Sequence, residues 1–171
     1  NLDLATRVYT TRLLGCDPEL VLHGGGNTSV KTTMPLLDGS EVDAICVKGS
    51  GWDMGTIEAP GLPALACGPL RDLANLDAMT DVEMVREQRG WLWDPTSPNP
   101  SVEAILHALI PARHVDHTHA NAIVGITNQP EGEALTRDLF PDSVIVPYVM
   151  PGFILAKECK RHLQANPGAT S

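Results

Sequence analysis

The chain has 171 residues, enough for one domain with its own hydrophobic core, and 43% hydrophobic against 19% charged residues fits a globular protein. A net charge of -9, from 12 basic and 21 acidic residues, argues against the basic stripe that nucleic-acid binding needs. No apolar run is long enough for a transmembrane span, and the opening NLDLATRVY does not resemble a secretory signal, so no membrane partner is expected. Cys16, Cys46, Cys67 and Cys159 are scattered without a CxxC pair, which reads as free thiols and a cytoplasmic compartment. The chain opens on Asn rather than Met, and the tail HLQANPGATS stops in turn-forming residues, so a piece of something longer is expected.

LDLATRVYTTRLLG has apolar residues three and four apart, and Gly15 near its end, which predicts a first helix. ELVLH then reads as a short strand entering the glycines of HGGGNTSVK, and a turn at LLDGSE leads to DAICVKG, a second strand. The Gly- and Pro-rich residues 55–75 are expected to wrap the surface. LDAMTDVEMVREQRG has helical spacing again. A proline-rich loop, DPTSPNPS, precedes SVEAILHALIP, a helix that Ser101 could cap and Pro111 ends. VDHTHANAIVGIT and VIVPYV are strand candidates, and GFILAKECKRHLQ is a closing helix. Helices alternating with short strands predict a layered α/β domain.

Three constellations carry chemistry. In a strand, side chains alternate, so His117 and His119 of HVDHTHA share a face and could share one metal ion. Ordinary histidines at a polar strand end explain the same spacing. Asp116 and Thr118 face the other way, and His114 is a weaker third ligand because regular alternation puts it on the wrong face. Glu103 and His107 stand four apart and share a helix face, where a carboxylate in the first turn is favoured in its ionised form. EAILH lacks the histidine spacing of a HExxH zinc helix, and a capping role for Glu103 stays open. GGGNTS at 24–29 and KGSG at 48–51 are neither a GxGxxG fingerprint nor a Walker loop. Both are runs of small residues whose amides suit a phosphate or carboxylate, or else simply tight turns, with Lys31 and Lys48 nearby.

GGGNTSVK, KGSG, PSVEAILHALIP and HVDHTHA, in that order, resemble the class II (metal-dependent) aldolase/adducin family. The triple glycine and DHTHA look most like the aldolase portion of bifunctional rhamnulose-1-phosphate aldolase/alcohol dehydrogenases, and the likeness covers residues from about 1 to 165. The resemblance implies a three-layer α/β/α domain around a mainly antiparallel central sheet, assembled as a homotetramer. It implies zinc, or another divalent ion, on three histidines, two of them matched by His117 and His119. Glu103 matches the catalytic acid/base. Gly26, Asn27, Ser29, Ser50, Gly51 and Ser101 match the loop and turn residues that hold the substrate phosphate.

Three departures qualify the match. Val102 stands where a second serine is usual, the interval from Glu103 to His117 is short, and no NHG-like segment supplies the third histidine. His162 has the wrong neighbours for that role, so the chain is expected to end before the third ligand. The resemblance then implies cleavage of a ketose 1-phosphate to dihydroxyacetone phosphate and an aldehyde, with a dehydrogenase domain in the full-length protein. The alternatives are a sugar-phosphate epimerase or dehydratase of the same family, and a non-catalytic adducin-like assembly domain.

Overall fold

The computed structural model describes residues 2–168, so the last three residues of the tail lie outside the described part. Helix α1 (Leu2–Gly15) leads through a loop into strand β1 (Asn27–Pro35), which pairs antiparallel with β2 (Glu41–Val47). Strand β3 (Ala64–Ala66) runs directly into α2 (Cys67–Leu73), and α3 (Asp81–Gly90) and α4 (Ala104–Leu109) precede strand β4 (His114–His117). Helices α5 (Asn121–Thr127), α6 (Gly132–Leu139) and α7 (Phe153–Ala165) complete the described chain. The sheet order is β3-β2-β1-β4, antiparallel at every pair.

Strand alternation sorts the core into two layers. In β2, Ile45 and Val47 face one side and pack with Leu65, Leu70, Ile105, Ala108 and Phe153. Cys46 faces the other, with its partner Val30, Ile57 and Leu62, under Leu4 and Val8 of α1. Helix α1 thus covers one face, and α2 and α4, backed by α7, cover the opposite face. Each fully buried Ile or Leu side chain contributes about 1.5–3 kcal/mol. The expected three-layer α/β/α arrangement with an antiparallel sheet is what forms.

Several local expectations are corrected. ELVLH is a turn and loop rather than a strand. Residues 55–75 hold a short 3-10 turn (Ala59–Gly61), β3 and α2, and they bury Ile57, Leu62, Leu65 and Leu70. The strand expected over VDHTHANAIVGIT ends at His117, and NAIVGIT is helix α5. VIVPYV forms no ladder among the described residues, and α6 went unread in the sequence. Two further expectations match: a helix forms at Asp81–Gly90, starting at a capping box between Thr80 and Glu83, and all four cysteines are free. Burial pushes the Cys46 and Cys159 thiols up to about 11, which keeps them protonated and inert.

Candidate active site

The same alternation that builds the core builds the site. Asn27, Ser29 and Lys31 lie on the face of β1 turned towards α4, while Thr28 and Val30 face α1. On α4 and its entry turn, Glu103 and His107 are one helical turn apart. The two spacings mesh: Asn27 Nδ2 donates to Glu103 Oε2 at 2.5 Å, and His107 Nδ1 bonds the Ser29 hydroxyl at 2.8 Å. Ser101 does not itself cap the helix. Its carbonyl and hydroxyl accept from the amides of Ala104 and Glu103, and Glu103 occupies the N-cap position.

On β4, His117 pairs in register with Asn27 and shares its face, so it too comes to Glu103. Asp116 points the other way, to the buried Arg7 of α1 at 2.7 Å. That ion pair, with Arg7 Nη1 on the Ser29 carbonyl, ties β4 and β1 to α1 behind the site. His114 and His162 stand apart, and His162 pairs with Glu158 on α7. His119 lies beyond the strand end, so strand alternation is not what aligns the two histidines. Its amide donates to the Leu20 carbonyl, and this holds its ring 4.9 Å from that of His117, at 61°.

The glycine loop abuts these histidines. Gly26 sits at φ 64, a left-handed conformation, and a Cβ there would lie 2.7 Å from the His117 carbonyl oxygen. A Cβ on Gly25 would lie 3.2 Å from His119 Nδ1, and one on Gly24 would lie 3.7 Å from the Gly51 carbonyl oxygen. The two glycine turns therefore form one surface. Lys48 clips them together, its Nζ donating to the Gly24 carbonyl at 3.1 Å, whereas Lys31 is turned away to the carbonyls of His107 and Ala112. The Gly25 and Ser50 amides are engaged by Leu22 and Asn99, but those of Gly24, Gly26 and Gly51 donate to no protein group among the described residues. The amides of Gly24 and Gly51 lie on exposed residues beside Lys48, an arrangement that can hold an anion.

Electrostatics single out Glu103. Burial by itself would raise its carboxyl, but His117 beside it and the Asn27 amide outweigh that and bring it down to about 2. His107 is shifted to about 4 by burial, against the pull of Glu103, so its imidazole is neutral near pH 7. Among the described residues no group of three His, Cys, Asp or Glu side chains gathers as a metal site. Yet His117 Nδ1 is buried without a hydrogen bond, although it lies 3.0 Å from Glu103 Oε2. A buried imidazole nitrogen that touches a carboxylate without making a well-aimed hydrogen bond, next to a second imidazole, suits a divalent cation. His117 and His119 therefore fit as part of a ligand set.

This combination of fold and site has a family. Residues 5–170 match the Class II Aldolase and Adducin N-terminal domain, and the chain belongs to the class II aldolase/adducin family. It is 40% identical over 163 residues to YuxG of Bacillus subtilis, described as an uncharacterized oxidoreductase, and this match covers 95% of the chain but 24% of YuxG. The N-terminal class II aldolase domain of a conserved protein from Thermoplasma acidophilum superposes with a TM-score of 0.87 at 42% identity, covering 93% of this chain and 74% of that one. YgbL from Escherichia coli, a candidate aldolase/epimerase/decarboxylase, shares the fold, with a TM-score of 0.56 at 16% identity over 97% of this chain and 73% of that one. No helix among the described residues is long and apolar enough to cross a membrane.

Two contributors escaped the sequence reading, Arg7 and the Leu20 carbonyl, while Lys48 was read only as a charge near the glycine turns. Arg7 alone had a signal, since it falls on the same face of α1 as Leu4, Val8 and Thr11, where a charge needs a buried partner.

Proposed function

We propose that this domain is a metal-dependent aldolase that cleaves a ketose 1-phosphate of the rhamnulose 1-phosphate type to dihydroxyacetone phosphate and an aldehyde. One observation carries the reading: an ionised Glu103 is clamped between Asn27 and His117, beside a cradle of free amides. His117 and His119 would hold zinc or another divalent ion, which when bound supplies Lewis-acid stabilisation of charge developing on the substrate carbonyl oxygen. Glu103, already ionised, takes a proton from the carbon next to the carbonyl of dihydroxyacetone phosphate in the synthetic direction, and returns it during cleavage. The exposed Gly24 and Gly51 amides bind the phosphate, with the exposed Ser50 hydroxyl and the Lys48 charge beside them. The 24% coverage of YuxG supports placing this domain in a longer polypeptide with a dehydrogenase portion, and the homotetramer belongs to the same proposal.

The test is release of dihydroxyacetone phosphate from L-rhamnulose 1-phosphate by the full-length protein loaded with zinc. Release stops on chelation and returns with metal, and Glu103→Gln slows it about 10²–10⁴-fold while metal content stays unchanged. No release from protein that holds one metal per chain would sink the substrate assignment in favour of an epimerase or dehydratase. No release and no metal would favour an assembly domain.

A further inference from the structure

We propose that Arg7, through its ion pair with Asp116, is a positioning residue that fixes where β4 presents His117 and thereby sets the affinity of the site for a divalent cation. The inference rests on the reading of His117 and His119 as metal ligands.

The place of His117 depends on a short strand that little else holds. β4 pairs with β1 over four residues, has no strand on its other side among the described residues, and buries only Val115. Beyond His117 the chain leaves the sheet for α5. Asp116 is turned towards α1, where Arg7 Nη2 meets its Oδ1 at 2.7 Å while Arg7 Nη1 donates to the Ser29 carbonyl at 3.3 Å. One guanidinium thus grips β4 and β1 together, one residue before the first candidate ligand. The base of that grip is itself fixed. The Thr11 hydroxyl meets the Arg7 carbonyl and the Thr28 hydroxyl, both at 2.6 Å, and Thr28 is the register partner of Asp116. Leu4 and Val8, on the same helix, pack against the core layer around Val30.

Stability does not account for an arginine here. Arg7 is 1% exposed, and its Nε is buried without a hydrogen bond. Such a pair contributes little beyond what an apolar side chain of similar volume gives, because desolvation offsets the attraction. What it adds is direction, since a planar fork fits one arrangement of carboxylate and carbonyl. Metal ligands need that direction, with distances held to within about 0.2 Å. Asp116 and His117 are joined by one rigid peptide, so a displacement of the first carries the second. His117 lies 3.0 Å from Glu103 Oε2 and its ring 4.9 Å from that of His119, so a slipped β4 disturbs both relations.

Removing the Arg7 charge separates this role from plain electrostatics, because the two predict opposite signs. A cation lost near the site would tighten zinc binding, whereas a lost clasp loosens it. The variant is Arg7→Met, which fills similar space and leaves behind Asp116, a half-exposed carboxylate that water can solvate. Zinc affinity of the full-length protein is measured by competition with a chromophoric chelator, counting the uptake that His117→Ala removes. Arg7→Met is expected to weaken it by about tenfold or more, as for groups that orient a ligand without touching the metal. Arg7→Lys keeps the charge but not the fork, and is expected to fold as wild type and lose about threefold or more. It decides the question if Arg7→Met does not fold. Zinc affinity that is unchanged or tighter in the folded variants overturns the proposal and leaves Arg7 as part of the fold alone. If the wild type shows no such uptake, the metal reading fails on its own. The positioning of His117 is then decided by a double-mutant cycle of Arg7→Met with Glu103→Gln in urea unfolding. Coupling of about fivefold or more in the unfolding constant supports it, and additive effects sink it.

Discussion

At the scale of single residues, the sequence paired Glu103 with His107 by spacing, and the structure gives them different partners. Glu103 turns to Asn27 and His117, while His107 is 1% exposed and bonded to Ser29. That burial has a consequence for stability. The His107 imidazole is lowered from 6.5 to about 4 in the folded protein, so between those values the unfolded chain takes up a proton that the folded one refuses. Stability from this residue is therefore fully present above about pH 6.5, declines as pH falls towards 4, and changes no further below that, a loss of roughly 3 kcal/mol. Urea unfolding between pH 7.5 and 4 should show this slope in wild type and a flatter one in His107→Gln, which cannot charge. Identical slopes would mean that His107 is protonated in the folded state. Glu103, His117 and His119 could be singled out in the sequence because their chemistry is rare and their order distinctive, and the structure brings them together. The occupation of Ser29 was not, since a serine next to glycines carries no mark of what lies across the sheet.

At the scale of elements, α1, β2, α3 and α7 were readable because each carries its own period, and α3 also carries its cap. Composition misled in two places. Gly and Pro across residues 55–75 suggested surface, yet the apolar residues between them are pulled into both core layers. NAIVGIT looks like a strand by its β-branched residues, but β4 leaves the sheet after His117 and α5 packs mainly on α6, burying none of its own side chains. With so little packing, α5 is governed by local propensity. Gly125 lies inside this helix, and a Cβ there meets no atom within 4 Å. Gly125→Ala should therefore stabilise α5 by about 0.5–1 kcal/mol, seen as slower amide hydrogen exchange across residues 121–127. Faster exchange in the variant would argue against a helix here.

At the scale of the molecule, two helices and an extended stretch lie outside the double core. Leu139, Phe140, Tyr148, Met150 and Ile154 are exposed around α6 and the start of α7. The site straddles the rigid and the open parts: Asn27 and Glu103 belong to the former, while His119 hangs on the loop bonded to Leu20. A cation that draws His117 and His119 together should thus stabilise the whole domain. Zinc at about 100 times its dissociation constant should raise the unfolding free energy by about 3 kcal/mol, measured as a rise in Tm of the full-length protein. His117→Ala or His119→Ala should abolish the rise. An undiminished rise in both variants would place the metal elsewhere.

The sequence by itself determined the family and the layered fold, because periodicity and rare ordered motifs survive without coordinates. Tertiary structure alone decided which partners its polar residues meet. Asn27 and Ser29 look alike on paper, two polar residues of one glycine-rich run. Pairing β1 with β4 and laying α4 across its face brings partners 76 and 78 residues away into hydrogen-bonding distance. Which donors find partners inside the protein depends on contacts distant in sequence, and only the packed chain shows them.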